Sequence, residues 1–329
     1  MLCSPTRSLS LIFGIICGFI ILLASSCGNE DDGFALPEEY DPTRHIYSMN
    51  AYRNSEDAYE CIINPTTGEF HRLEGTAEPF GSFDIPIGPR FLTDFENKRR
   101  IYPARLGTIN IQDLVTLEVS SIDVAAEGTH TGSWDFLTFG QDNNTIIGYD
   151  IGDRRVFSFD IPTQTITVVA QDLPFPGTTV EAVEYLRRNN EVAIFTRESY
   201  LIYDIDDQVI TQQDTFSLEM FGYVQHPDEE KFYALTVPSG GRGFRLIEIF
   251  RNDNQLLLQT RSQEKLDINK IATNRQTIFT AGNSYICTGG SGSIENPTNF
   301  LYSIDLSSGR LLHSHELYNF GLMLKLRGE

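Results

Sequence analysis

A short turn pattern recurs along the chain, and it constrains the fold more than any other feature. Its clearest copy lies in FLYSIDLSSGRLLHS, residues 300–314, where two runs of alternating apolar residues flank Leu306-Ser307-Ser308-Gly309. That is the sequence form of a β-hairpin whose turn carries Gly where a positive φ is needed. Counted from Asp305, the frame is a short polar residue, Gly four positions on and an apolar residue six on. Asn64 to Phe70 (NPTTGEF) repeats it. Asp160 to Ile166 (DIPTQTI) and Asp204 to Ile210 (DIDDQVI) keep it with Gln in place of Gly. Looser copies fall near Asn110 and Glu248. The anchors at 64, 110, 160, 204, 248 and 305 are 46, 50, 44, 44 and 57 residues apart, a spacing that suits a four-stranded propeller blade of about 40–50 residues.

The pattern inside one period supports the same unit. Residues 136–139, 146–149, 156–159 and 166–169 read as four consecutive strands. Residues 183–186, 192–196, 201–203 and 209–211 read as four more, and residues 221–224, 232–237, 244–249 and 255–259 as another four. Polar turns such as Asp142-Asn143-Asn144 separate them. A β-sandwich of short strands is the competing architecture, and the regular period favours the propeller. The first unit begins at residues 45–49 with what reads as a second strand. The last hairpin is followed by NFGLMLKL, residues 319–326, an apolar run with no hairpin of its own. The expectation is that this run supplies the first unit's missing inner strand and closes the ring, removing the free edges that an open repeat exposes. The fold class expected is all-β: a six-bladed β-propeller of four-stranded blades closed by its C-terminal strand, one domain over residues 45–329. Through motifs such as YSIDLSSGRL the domain resembles the six-bladed TolB-like and YVTN-type propellers. That resemblance implies a fold and says little about activity.

Residues 1–26 read as a signal peptide. Arg7 gives a positive n-region, residues 9–23 an apolar h-region, and Ala24-Ser25-Ser26 are small residues before Cys27. The apolar run is shorter than the about 20 residues a membrane-spanning helix needs. Residues 22–27 (LLASSC) resemble the lipobox of bacterial lipoproteins, with Leu23 one place earlier than usual. The resemblance implies cleavage before Cys27, lipid on its thiol and further acylation of its new amino group. Glu30-Asp31-Asp32 resembles the acidic export tag that takes lipoproteins of the Bacteroidetes group to the cell surface. The expected location is therefore the bacterial outer membrane, with several acyl chains for stable anchoring. Residues 27–44 form the lipidated Cys and a flexible acidic linker; its part after the Cys could reach about 55–60 Å fully extended.

The net charge is −20, and removal of the signal, which carries only Arg7, leaves −21. So acidic a surface repels phosphate backbones and anionic head groups, which argues against nucleic acid as a partner and leaves the lipid as the contact with the membrane. Apolar residues make up 40% of the chain, with 22 Phe and 14 Tyr, enough for a large β core. Of five cysteines, Cys61 and Cys287 belong to the domain. Each sits in an apolar run and reads as a buried free thiol, and no zinc-type Cys/His spacing is present.

In propellers the tight hairpin between third and fourth strands lies on one face. The loops from second to third strand and from blade to blade lie on the other, where ligands bind. The repeated hairpin is then scaffold. Candidate binding residues fall in the irregular front segments: His130 and Trp134, Arg242 in PSGGRG, and Ser291, Glu295 and Asn296 in TGGSGSIENPTN, read as a flexible loop over residues 288–299. That segment lacks the final Gly of a nucleophile elbow and leads into no helix. Asp94, Asp135, Glu181 and Glu184 lie in or before inner strands. Some propeller hydrolases and lactonases hold calcium at the channel mouth with Glu, Asn and Asp, although none of their motifs is matched residue by residue. His313 and His315 alternate on one strand with no third ligand nearby. Two function classes follow. The first is a non-catalytic surface lipoprotein, monomeric and without cofactor, binding a protein or glycan. The second is a calcium-dependent envelope hydrolase or lactonase.

Overall fold

The computed structural model describes residues 41, 43–51, 57–72, 78–79, 92–94, 96–103, 108–113, 116, 118–123, 136–174, 180–237, 243–252, 255–266, 268, 276–292, 297–317, 323–325 and 327–328. Their strands form six sheets. The first contains β1 (Ile46–Ala51), β2 (Asp57–Ile63) and β3 (Phe70–Arg72), with β4 (Glu78–Pro79) also on β2. The second contains β5 (Leu92–Asp94), β6 (Arg99–Pro103), β7 (Thr108–Asp113) and β8 (Val119–Asp123). The third is β9 (Phe136–Phe139), β10 (Thr145–Asp150), β11 (Arg155–Asp160) and β12 (Thr165–Ala170). The fourth is β13 (Val180–Leu186), β14 (Glu191–Thr196), β15 (Ser199–Asp204) and β16 (Val209–Thr215). The fifth is β17 (Met220–Gln225), β18 (Lys231–Thr236), β19 (Arg245–Asn252) and β20 (Gln255–Thr260). The sixth is β21 (Gln276–Phe279), β22 (Ser284–Gly292), β23 (Pro297–Asp305) and β24 (Leu311–Leu317). Apart from β4, strands adjacent in sequence pair antiparallel inside each sheet, and the first strands of the third to sixth sheets lie side by side in chain order. The chain is an all-β propeller of mostly four-stranded antiparallel blades.

Polarity along the blade follows from this layering. In the fourth sheet β13 (VEAVEYL) and β14 (EVAIFT) are buried at every position, whereas β16 (VITQQDT) is exposed at all but one. Inner strands are covered on both faces and so read as near-continuous apolar runs. Side chains leave a strand on alternate sides, so each blade feeds two interfaces. Val183 and Tyr185 pack toward the third sheet, while Ala182 and Leu186 pack toward the fifth. Separate apolar clusters join the second sheet to the third, the fifth to the sixth, and the sixth to the first. At the fourth-to-fifth seam Phe195 stacks on Tyr223 (4.6 Å, 17°) and meets Phe232 edge-on (4.8 Å, 66°). Burying one such ring contributes about 1.5–3 kcal/mol.

The C-terminal run joins the beginning of the chain, as its apolar pattern implies. β25 (Met323–Lys325) lies antiparallel to β1, with Met49 opposite Leu324. Two residues on, β26 (Arg327–Gly328) pairs with β5 in parallel. The two C-terminal strands thus pair with the first and the second sheet.

The repeated hairpin is found at the end of the third strand, and its frame is physical. The residues four after the anchors, Gly68, Gln164, Gln208 and Gly309, all have positive φ, between 55° and 74°. The N–H of Gly68 donates to Asn64 O, and that of Gly309 to Asp305 O, each at 2.8 Å. The anchor carboxylates cap their own turns: Asp160 accepts from Thr163 N–H at 2.8 Å and Asp204 from Asp207 N–H at 2.9 Å. Two anchors need correction. Asn110 and Glu248 lie inside β7 and β19, and the chain turns at Asp113 and Asn252 instead, which makes the spacing 49, 47, 44, 48 and 53. The short polar residue belongs where the strand ends, and Asp113 there accepts from Thr116 N–H at 2.8 Å.

A second repeated device ties the two tight turns of a blade together. The carbonyls of Asn144, Asn190 and Asn283, in the turn between first and second strands, accept the N–H groups of Ile161, Ile205 and Leu306 at 2.9, 3.0 and 2.9 Å. Each donor directly follows a hairpin anchor. Both tight turns therefore share one end of the sheet, here called the back end. Ile46 of β1 pairs with Ile63, beside the hairpin of Asn64, so the described chain enters the first sheet at this end.

Residues 288–299 are not a loop throughout. Thr288–Gly292 continue β22 and pair residue by residue with β23, from Thr288 opposite Leu301 to Gly292 opposite Pro297. The Gly and Ser content signals a loop, yet an uninterrupted ladder carries the two strands beyond their neighbours. Cys61 and Cys287 are both fully buried free thiols, and burial raises each far above its ordinary pKa.

Candidate functional site

The front end of the fourth and fifth sheets holds a cluster of polar and aromatic side chains around one turn. The turn between β14 and β15 is Arg197-Glu198. Thr196 closes it: its hydroxyl accepts the N–H of Ser199 at 2.9 Å and lies 2.6 Å from the Ser199 hydroxyl. The connection from β16 to β17 docks on the same turn. Phe216 N–H donates to Glu198 O (2.6 Å) and Met220 N–H to Arg197 O (2.8 Å). Tyr223 of β17 donates its hydroxyl to Thr196 O (2.9 Å). Burial, then the nearby Glu181 charge, pushes the Tyr223 hydroxyl well above its usual range, so it remains a donor.

Arg197 is fixed from three directions. Its Nε donates to Glu181 Oε1 at 2.8 Å, its Nη1 donates to Glu219 Oε1 at 3.4 Å, and its guanidinium carbon lies 4.9 Å from the centre of the Phe221 ring. Glu181 is 4% exposed, Glu219 46% and Arg197 48%. The bond to Glu181, opposed by burial and helped by both carboxylate charges, lifts Arg197 further above its already high pKa. Glu181 reaches it because the ladder between β13 and β14 shifts register between Val180 and Ala182; β17 shifts likewise between Phe221 and Val224. Bulges re-aim side chains, and two of them converge here.

The other residues singled out in the sequence fall as follows. Asp94 is fully buried at the back end of β5, where it accepts from Arg99 Nε (2.9 Å), Asn97 Nδ2 (2.7 Å) and Asn143 Nδ2 of the third sheet (3.2 Å). It pins the second sheet to the third. Glu184 is buried in β13, three residues along the strand from Glu181. Asp94 and Glu181 thus sit at opposite ends of their strands. Ser291 lies in β22 opposite Thr298. Cys27, His130, Trp134, Asp135, Arg242, Glu295 and Asn296 lie outside the described residues. The rings of His313 and His315 stack at 5.8 Å, and His315 Nε2 is 2.9 Å from Thr66 O. No group of three or more His, Cys, Asp or Glu among the described residues is placed to hold a metal ion.

No family model matches the chain, and no curated protein matches it. Solved structures do. TolB from Acinetobacter baumannii superposes with a TM-score of 0.54 at 13% identity, over 98% of this chain and 73% of that one. A protein of Bacteroides uniformis assigned as a 6-phosphogluconolactonase gives 0.55 at 11% identity, over 85% of this chain and 98% of that one. The β-propeller domain of Myceliophteria thermophila Cps50 (Swd1) gives 0.51 at 9% identity, over 83% and 87%. At these identities the likeness is one of fold.

Proposed function

We propose that this chain is a lipid-anchored envelope lipoprotein whose propeller, without catalysing a reaction, binds a partner protein or glycan at its front end. In this reading each of the six sheets is one blade, and the C-terminal strand closes a six-bladed ring. Cys27 carries the lipid at the bacterial outer membrane, with the protein displayed on the cell surface. The acidic linker lets the domain stand off a membrane that its own net charge of −20 repels.

The observation that carries the reading is the contrast between the two ends. At the back, the repeated turns are tied together within their own blades by backbone hydrogen bonds. At the front, Arg197, Glu219 and Phe221 form a cluster that is half open to solvent and stands on a rigid frame. Loops and turns on a rigid scaffold are where recognition residues concentrate.

Two substitutions and two photoreactive side chains test this in intact cells. Cys27→Ser should abolish acyl-chain labelling and release the protein from the membrane fraction. A photoreactive residue at Glu198 should give a discrete adduct, and one at Ser307, in the back hairpin, should not. Adducts from Ser307 alone, or unchanged fractionation of Cys27→Ser, would overturn the proposal. Calcium-dependent turnover of lactones or esters by the purified chain would favour the enzyme class instead.

A further inference from the structure

We infer that Arg197 anchors a partner protein through a peptide carbonyl and an aromatic side chain. This rests on the front-end reading above and specifies its chemistry. The guanidinium plane is set before any partner arrives, by Glu181 at Nε, Glu219 at Nη1 and Phe221 against the guanidinium. A guanidinium so held loses little freedom when it is used.

What it leaves unused defines the ligand. Among the described residues neither proton of Nη2 has a protein acceptor, and 48% of the side chain is open to solvent. The free N–H groups call for an oxygen acceptor. The local charge selects which one. Among the described residues a single guanidinium stands with two carboxylates, on a chain of net charge −20, so another anion is repelled. A neutral peptide carbonyl meets the requirement. The open guanidinium surface takes an aromatic ring, which stacks on arginine. Apolar surface lies on the same end of the fifth sheet: Phe221 is half-buried, and Val237, just after β18, is 37% exposed. Arginine is among the residues enriched at interface hot spots.

The test uses the full chain in detergent micelles and three defined probes, followed by saturation-transfer NMR and titration: acetyl-Gly-Trp-Gly-amide, acetyl-Gly-Glu-Gly-amide and N-acetylglucosamine. The Trp peptide should bind best. Arg197→Lys keeps the charge but loses the planar fork, and should weaken that binding at least about fivefold. Arg188→Ala, at an exposed back-end turn, should leave it unchanged. Arg197→Ala would strand the buried Glu181, so Lys is the informative variant, with its melting temperature measured alongside. Absence of Trp-peptide binding, equal binding by Arg197→Lys, or preference for the Glu peptide or the sugar overturns the inference. If one of these results accompanies adducts from Glu198 in cells, the front-end reading stands and the aromatic anchor falls. If the adducts come from Ser307, the front-end reading itself has failed.

Discussion

Ser262 donates its hydroxyl to the carbonyl of Gly309 at 2.7 Å, and this contact between the fifth and sixth sheets leaves no space for a side chain on the glycine. A Cβ built at Gly309 would lie 2.6 Å from Ser262 Cα, and the φ of 65° is itself unfavourable for any other residue. Gly309→Ala should therefore cost about 2–4 kcal/mol, since the obstacle is backbone and cannot move aside. Gln208 occupies the same frame position at φ 56°. There Gln208→Gly relieves strain but loosens the unfolded chain, and the net change should stay below about 1 kcal/mol. Denaturant titration of both variants checks the pair; equal effects would mean that the turn, and not the seam, sets the requirement.

A buried ion pair bridges the fourth and fifth sheets. Arg251 donates to both oxygens of Glu191, with Nη2 at 3.1 Å from Oε1, and Thr211 donates to Oε1 at 3.0 Å. Glu191 is 3% exposed and Arg251 22%. Arg251→Met should cost about 3 kcal/mol because it leaves a desolvated carboxylate without its cation. Adding Glu191→Gln should recover much of that loss. A double-mutant cycle read by thermal unfolding would detect the recovery, and strictly additive losses would show that the two groups are not coupled.

How the sequence announces these features depends on where the constraint acts. The αL position of the hairpin demands Gly or a residue that tolerates positive φ, so Gly68, Gln164, Gln208 and Gly309 line up by eye. The pins from Asn144, Asn190 and Asn283 use backbone carbonyls, which leave no requirement on residue type, and they reach residues 17, 15 and 23 positions ahead, so no fixed spacing reveals them. At the front end Glu181 stands out as an acid in an apolar strand, but Arg197, the centre of the cluster, does not. Its partners lie 16 and 22 residues away and meet it only because two strands bulge. Length misled as well: the Gly/Ser run at residues 288–292 imitates a loop because the ladder partner that keeps it extended comes later in the chain.

Acid should weaken the back hairpins. Burial works to raise Asp305, but it is outweighed by the hydroxyl of Ser308 (2.7 Å) and its N–H (2.6 Å), with Asn283 and Ser307 adding to them, and the carboxyl settles below its ordinary pKa. A folded pKa below the unfolded value means stability that is complete above the unfolded value of about 3.9 and is lost as pH falls through the lower folded one. Unfolding free energy measured from pH 6 to pH 2 should fall across that window. Ser308→Ala should shrink the fall; an unchanged profile would assign acid sensitivity to other carboxylates.

The two cysteines of the domain should behave as hydrophobes. Cys61 and Cys287 have no exposed surface, and burial holds both thiols protonated far above neutral pH. Only the thiolate attacks alkylating agents. Native protein should resist iodoacetamide at pH 8, and both sites should label together once denaturant is added. Rapid labelling of one cysteine in the folded state would show that its seam opens locally.

The C-terminal strands that pair with the first and second sheets offer the sharpest structural test. Truncation after residue 321 removes β25 and β26, and with them every described partner on the inner edge of β1 and β5. Two sheets then present unpaired N–H and C=O groups toward each other, and an exposed edge is a template for pairing between molecules. The third to sixth sheets keep all their strands and their mutual apolar seams. The truncated chain should therefore retain most of its β signal in circular dichroism yet lose cooperativity and form oligomers at micromolar concentration. Adding the excised segment as a synthetic peptide should restore the monomer in light scattering. A truncated chain that stays monomeric and melts as sharply as the full one would mean that the C-terminal strand decorates the ring instead of closing it.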